Sequence, residues 1–329
     1  MSNNQLQYDA LSKFSYQIRF ALENFTSHGI DISNYNNIVI GGLGGSGIGG
    51  SIVKGFMTDK IKLPIEVISD YHLPAYADHK TILVLGSYSG NTEETLTMFE
   101  LGKLAQCKIL VLTSGGKLKE LAEKEGLKIY PIEGGFQPRM ALGYSLTYLL
   151  LIFGEFVDIN YIEDLNTIAS SLDHYDDYLI AAEDIYKSTL KHLDKKTVIV
   201  TDAGFEAVGI RFAQQIQENA KAEAFVCVVP EANHNVIESY YGQVPSIFVF
   251  IHADTNERVS QRFEFLRSML EVENNKIIDI HVEEYSVHTI YEIIYRLDYY
   301  SLLVADYKGV DALNVPNIME LKGFLDDVK

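Results

Sequence analysis

Residues 37–57 read NIVIGGLGGSGIGGSIVKGFM: an apolar run, a glycine-dense turn, then a stretch that can form a helix. A strand that turns through glycines straight into a helix is the start of a βαβ unit, so this feature points to a parallel α/β fold. Within it, Gly42-Leu43-Gly44-Gly45-Ser46-Gly47 satisfies the dinucleotide fingerprint G-x-G-x-x-G. Glycine gives close backbone approach and positive φ to a dinucleotide pyrophosphate and to a smaller phosphate alike. The loop therefore leaves its ligand open.

The rest of the chain repeats the plan. PIEVIS, TILVLGS, CKILVLTS and LKIYPI read as strands, with helical spacing over 91–105 and in KLKELAEKEG, and a helix from Pro138 to Phe153. Residues 5–28 carry apolar positions three or four apart and predict one amphipathic helix ending at His28-Gly29. Residues 155–195 are acidic and poor in strands. Then KTVIVTD, EAFVCVV, PSIFVFIH and NKIIDIHV restart the pattern, with helices predicted over 206–220, 257–270, 286–306 and 316–325. The expected architecture is two doubly wound parallel sheets flanked by helices: a first unit over 1–154, a helical connector over 155–195 and a second unit over 196–329.

Charge narrows the ligands. The chain has 329 residues, 27 basic and 45 acidic, a formal net charge of −18. Such a surface repels nucleic acid, so a bound phosphate has to be held locally by amides and hydroxyls. The two cysteines, Cys107 and Cys227, lie in apolar runs with no C-x-x-C pair and read as buried thiols. Residues 1–10 are polar and no apolar run is long enough to span a membrane, so the expected compartment is the cytoplasm.

A second loop bears on the first. After TILVLG comes SYSGNTEET, placing Ser87, Ser89, Gly90, Asn91 and Thr92 at a strand-to-helix switch. Hydroxyls and a glycine at a helix N-terminus make a phosphate-sized anion site. The plainer alternative is a helix cap by Ser89 or Asn91, with Glu94 in the first turn, but a cap needs one such residue rather than four. A dinucleotide site would use Glu66 or Asp70 for the ribose and leaves SYSGNT unexplained. One phosphoryl group between the two loops explains both.

GGLGGSG, SYSGNTEET, FQPRMALGYS and ENAKAEAFVCVVPEANHN, in that order, resemble the bifunctional phosphoglucose/phosphomannose isomerases, two-domain proteins of the sugar-isomerase (SIS) fold. The resemblance runs from about Gly41 to Lys322. It implies an aldose–ketose isomerase that interconverts glucose 6-phosphate with fructose 6-phosphate through a cis-enediolate, with neither metal nor other cofactor. It also implies roles. Gly45, Ser46, Ser87, Ser89 and Thr92 would hold the substrate phosphate. Glu218 of E-N-A-K would be the base, and Arg139 of Q-P-R would stabilise the enediolate with a fork that lysine cannot imitate. His234 of EANHN would open the sugar ring from the neighbouring subunit of a homodimer, and Lys322 would assist. Locally, each has a plainer alternative: Glu218 paired with Lys221 on a solvated face, Arg139 capping a carboxylate, His234 an inert loop histidine.

The C-terminal segment departs from the family twice. Asp311-Ala312 stands where the family has Asp-Pro. Val315 stands where dual-specificity members carry threonine and glucose-only isomerases glutamine, which leaves mannose 6-phosphate turnover open. A non-catalytic sugar-phosphate sensor and an NAD-dependent dehydrogenase are the alternatives to an isomerase.

Overall fold

The structure is a computed structural model that describes residues 4–240, 244–254 and 256–327. Helices α1 (Gln5–Ser12) and α2 (Phe14–Asn24) precede β1 (Asn37–Gly41), α3 (Gly44–Met57), β2 (Ile65–Ile68), β3 (Thr81–Ser87) and α4 (Glu93–Leu104). Next come β4 (Lys108–Thr113), α5 (Gly116–Lys124), β5 (Lys128–Pro131), α6 (Leu142–Val157), α7 (Ile162–Leu172) and α8 (Tyr175–Thr189). The second half holds β6 (Lys196–Thr201), α9 (Glu206–Ala220), β7 (Ala224–Val228), α10 (Val236–Ser239), β8 (Ser246–Ala253), α11 (Glu257–Leu270), β9 (Lys276–Val282), α12 (Val287–Lys308) and α13 (Pro316–Asp327).

Both sheets are wholly parallel. The first has the order β2-β1-β3-β4-β5 and the second β7-β6-β8-β9. Sheets covered on both faces need strands that are apolar on both sides. SIFVFIHA of β8 meets that condition along its whole length, every residue being buried. In each sheet the order reverses at one place, between β1 and β3 and between β6 and β8. The crevice beyond the strand ends at such a reversal is where open α/β sheets take ligands.

The two sheets share one core. Apolar residues of β1 and β3 belong to the same buried cluster as those of β6 and β8. Helix α6, LGYSLTYLLLIFGEFV, is apolar nearly all round, as a helix enclosed by its neighbours must be. It lies on α2 and α3, and Thr147 on it shares a buried 2.9 Å hydrogen bond with Tyr291 of α12. Helix α9 packs on both α3 and α12, which brings its C-terminal end to the seam between the units.

Several expectations need correction. The single helix over 5–28 is two helices broken at Lys13. Helix α1 follows α12, whereas α2 turns toward α6 and α7, although Phe14 at its start still stacks on Tyr295 of α12 at 5.4 Å. Helix α2 stops at Asn24 because the chain extends at Phe25 to seat the His28 ring 4.7 Å from Phe156. The helix expected from Pro138 begins as a single 3-10 turn, Pro138–Met140, before α6. There the carbonyls of Arg139 and Met140 accept from Arg211 and Gln17 side chains. Residues 155–195 carry α7 and α8, which pack on α2 and α12 respectively. Both cysteines are half-buried rather than buried; burial still pushes the Cys107 thiol up to about 11.

Candidate active site

At the β1/β3 reversal the two glycine-bearing loops meet. Ser46 lies in the first turn of α3, and its hydroxyl accepts from the Tyr88 amide at 3.0 Å. Ser87, at the end of β3, is buried; its hydroxyl accepts from the Gly90 amide at 3.1 Å and shares a 2.9 Å bond with Thr92. Ser89 is exposed and its hydroxyl accepts from the Asn91 amide at 3.2 Å. The N-cap of α4 is Thr92, with no side-chain capping bond, rather than Ser89 or Asn91. The Asn91 side-chain Oδ1 instead accepts from the Lys117 amide of α5 at 2.9 Å. Gly90 has φ +67° and lies so close to the carbonyl of Gly115 that a Cβ would sit 1.8 Å from its oxygen. Behind the loops, Ser46, Ser87 and Ser145 line a small cavity over Ile40, Val84 and Leu112.

The first loop leads to the arginine. A Cβ on Gly45 would stand 2.7 Å from the Pro138 carbonyl oxygen and 3.1 Å from the Arg139 Cα. Only glycine lets the GGSG turn lie against the Q-P-R turn. Arg139 is 4% exposed. Its Nε donates to Asn219 Oδ1 at 2.9 Å, its Nη1 to Glu218 Oε2 at 3.3 Å, and its Nη2 to the carbonyls of Ala312 and Leu313. Burial lowers the pKa of the guanidinium, and the Glu218 carboxylate opposes that shift.

Helix α9 therefore presents Glu218 to Arg139 rather than to Lys221. Lys221, at the left-handed cap of α9, donates to the Glu218 backbone carbonyl. The pair also joins the two units, one residue from each.

Beneath Arg139 is a polar layer that pattern reading missed. Arg211, Gln215 and Asn219 follow one another four residues apart on the buried face of α9. Arg211 donates to the Arg139 carbonyl and to Asp298 Oδ2 of α12, the latter at 2.7 Å. Asn219 donates to Ser301 at 2.9 Å. Burial raises the pKa of the Asp298 carboxyl, and Arg211 pulls it back. The signal was present in the sequence: a polar residue every fourth position on an otherwise apolar helix face predicts a polar partner across it.

The remaining expected residues lie apart from this group. His234 is exposed at the end of a short 3-10 turn after β7. Lys322 is on α13 and is exposed, as are Ile318, Leu321 and Leu325 of the same helix. Among the described residues no hydrogen bond or ion pair joins either to Arg139 or Glu218. The segment that leads into α13 does reach the site, through the Ala312 and Leu313 carbonyls on Arg139.

The equivalent reversal of the second sheet holds its own carboxylate. Asp202, 4% exposed, accepts from the Phe205 amide and from the Ala253 amide, each at 2.9 Å. Both carboxylate oxygens of Asp202 thus take amides that flank the β6/β8 reversal, a self-bonded carboxylate standing where the first reversal has hydroxyl-bearing loops. For a dinucleotide, Glu66 is already engaged, accepting from the Tyr76 hydroxyl. Among the described residues no group of three or more His, Cys, Asp or Glu side chains is placed to hold a metal ion, and no helix is long and apolar enough to cross a membrane.

Two units of this plan on one chain, with a hydroxyl-bearing loop pair at one reversal, define a double-SIS protein. Residues 184–325 match the family model described as Bacterial phospho-glucose isomerase C-terminal SIS domain. The chain is 33% identical to a bifunctional phosphoglucose/phosphomannose isomerase from Caldicellulosiruptor bescii, over 98% of this chain and 99% of that protein. It is 35% identical to a D-glucosamine-6-phosphate 4-epimerase from Sulfolobus acidocaldarius, over 63% of this chain and 65% of that protein. A glucosamine-6-phosphate deaminase structure from Thermotoga maritima shares the fold at a TM-score of 0.72 and 14% identity, covering 94% of this chain and 97% of that one. The chain belongs to the bifunctional phosphoglucose/phosphomannose isomerase family.

Proposed function

We propose that this chain is an aldose–ketose isomerase that interconverts glucose 6-phosphate with fructose 6-phosphate in the cytoplasm. The observation that carries the reading is the Arg139–Glu218 pair, 3.3 Å apart, at a seam whose other wall is the Ser46/Ser87/Thr92 loop pair. Isomerisation needs a phosphate anchor, a base that moves a proton between carbons 2 and 1, and positive charge for the enediolate. The hydroxyl loops are the anchor, Glu218 the base and Arg139 the cation, so proton transfer proceeds without a metal. Glu218, 30% exposed, is open to a substrate, while Arg139 is held from behind by Asn219 and Ala312.

His234 and Lys322 act in ring opening, His234 from the second subunit of a homodimer. Support comes from their exposure away from Arg139 and from α13, a 12-residue helix with exposed apolar side chains. An uncovered helix that short is marginal in water. Val315, half-buried and apolar at the root of α13, matches neither the threonine nor the glutamine pattern, so mannose 6-phosphate is included in the assay below.

A coupled assay with glucose 6-phosphate, mannose 6-phosphate, fructose 6-phosphate and glucosamine 6-phosphate, run with and without EDTA, tests the reading. Glucose and fructose 6-phosphates interconvert and EDTA changes nothing. Loss with EDTA and recovery with zinc overturns the metal-free mechanism; turnover of glucosamine 6-phosphate alone overturns the substrate.

A further inference from the structure

The segment Glu133-Gly134-Gly135-Phe136 leads directly into Gln137-Pro138-Arg139, and two adjacent glycines make it the least constrained approach to the site. Gly135 has φ +99°. Tyr16 and Tyr144 donate to the Glu133 carboxylate at 3.3 and 2.9 Å, and one side chain, that of Tyr88, bonds the backbone of the turn at both ends. The Tyr88 hydroxyl donates to the Glu133 carbonyl at 3.2 Å and accepts from the Phe136 amide at 2.8 Å. It stands where a backbone partner would stand in a regular turn.

Tyr88 is also the centre of the phosphate loop. Its amide donates to Ser46 Oγ at 3.0 Å. Its carbonyl accepts from the Ser114 amide at 3.1 Å and the Ser114 hydroxyl at 2.6 Å. With a lone pair of Ser46 taken by the Tyr88 amide, the Ser46 hydroxyl is left to donate its proton toward an anion. One residue thus sets the donor direction of a phosphate ligand and ties down the turn that delivers Arg139.

We propose that Tyr88 is a positioning residue that couples occupancy of the phosphate loops to the placement of Arg139. The inference rests on the isomerase reading for its kinetic consequence, and on the geometry alone for its structural one. Tyr88→Phe removes the phenol bonds and keeps the ring and both backbone bonds. Displacing a catalytic group by a fraction of an ångström to 1 Å costs up to roughly 100-fold. For Tyr88→Phe, kcat therefore falls about 10-fold to 100-fold while the inhibition constant for inorganic phosphate stays within about twofold.

Hydrogen exchange of the peptide spanning 133–140 is the readout that does not need turnover. In the parent protein inorganic phosphate slows exchange there; in Tyr88→Phe exchange is faster and phosphate no longer slows it. Gly134→Ala, whose added Cβ meets open space, stiffens the turn and restores part of the lost kcat in the Tyr88→Phe background. Unchanged kcat and unchanged exchange in Tyr88→Phe overturn the proposal. So does a phosphate constant that weakens in step with kcat while 133–140 exchanges as in the parent. A Tyr88→Phe protein that fails to fold refers the decision to the parent, where phosphate without effect on 133–140 overturns the coupling. A parent protein that turns over no sugar phosphate overturns the isomerase reading instead, and the exchange comparison still decides the coupling.

Discussion

Replacing Glu218 with glutamine separates chemistry from architecture. The carboxylate is 30% exposed and meets Arg139 at 3.3 Å. With Arg139 buried and the carboxylate only partly exposed, exchange for a neutral oxygen that keeps the contact costs about 0.5–1 kcal/mol. Glutamine keeps the shape and an oxygen for the same guanidinium, and Arg139 keeps Asn219, Ala312 and Leu313. At about 2–4 °C per kcal/mol, Tm falls by about 1–4 °C. Proton acceptance is lost outright, so kcat falls by roughly 10²–10⁴, or about 3–5 kcal/mol of barrier. The kinetic effect exceeds the stability effect severalfold, which is what allows the two to be told apart. A coupled assay from fructose 6-phosphate gives kcat and KM, and circular dichroism gives Tm. Turnover within about threefold of the parent would return Glu218 to an ion-pair role. A Tm drop beyond about 10 °C alongside the loss would make the residue structural.

The anchor, the stoichiometry and the assembly are each open to test. Ser89→Ala and Thr92→Ala raise KM for fructose 6-phosphate without abolishing turnover, and inorganic phosphate competes with substrate; protection from thermal unfolding by NAD and not by sugar phosphates would instead make GGLGGSG a dinucleotide loop. Isothermal titration gives one inorganic phosphate per chain, since Asp202 takes the amides that flank the second reversal; two per chain would contradict that reading. Inactive His234→Ala and Glu218→Gln chains regain partial activity after subunit exchange, and no recovery despite proven exchange would mean each chain completes its own site.

The parts of the fold that were legible in the sequence are those governed by local pattern. Helical spacing places α11 at Glu257–Leu270 and α9 at Glu206–Ala220, as observed, because each buries one face against a sheet. The break at Lys13 was not legible, since helical spacing continues across it and only tertiary packing, α1 on α12 and α2 on α6 and α7, separates the two helices. The hydroxyl loops could be read because glycine and serine at a strand-to-helix switch have a local physical reason. Arg139 and Glu218 could be named only through resemblance; 79 residues apart, they meet because α3 packs on α9. Tyr88 escaped notice because its function lies in a contact with residues 133 and 136, which no spacing announces.

Isomerisation by Glu218 moves a proton between adjacent carbons at the seam. The most direct measurement follows deuterium at carbon 2 of glucose 6-phosphate during conversion to fructose 6-phosphate in ordinary water. Proton transfer through Glu218 gives a primary isotope effect on kcat and substantial loss of the label to solvent, both abolished along with turnover in Glu218→Gln. Complete transfer of deuterium to carbon 1 with no washout, undiminished in Glu218→Gln, would contradict it.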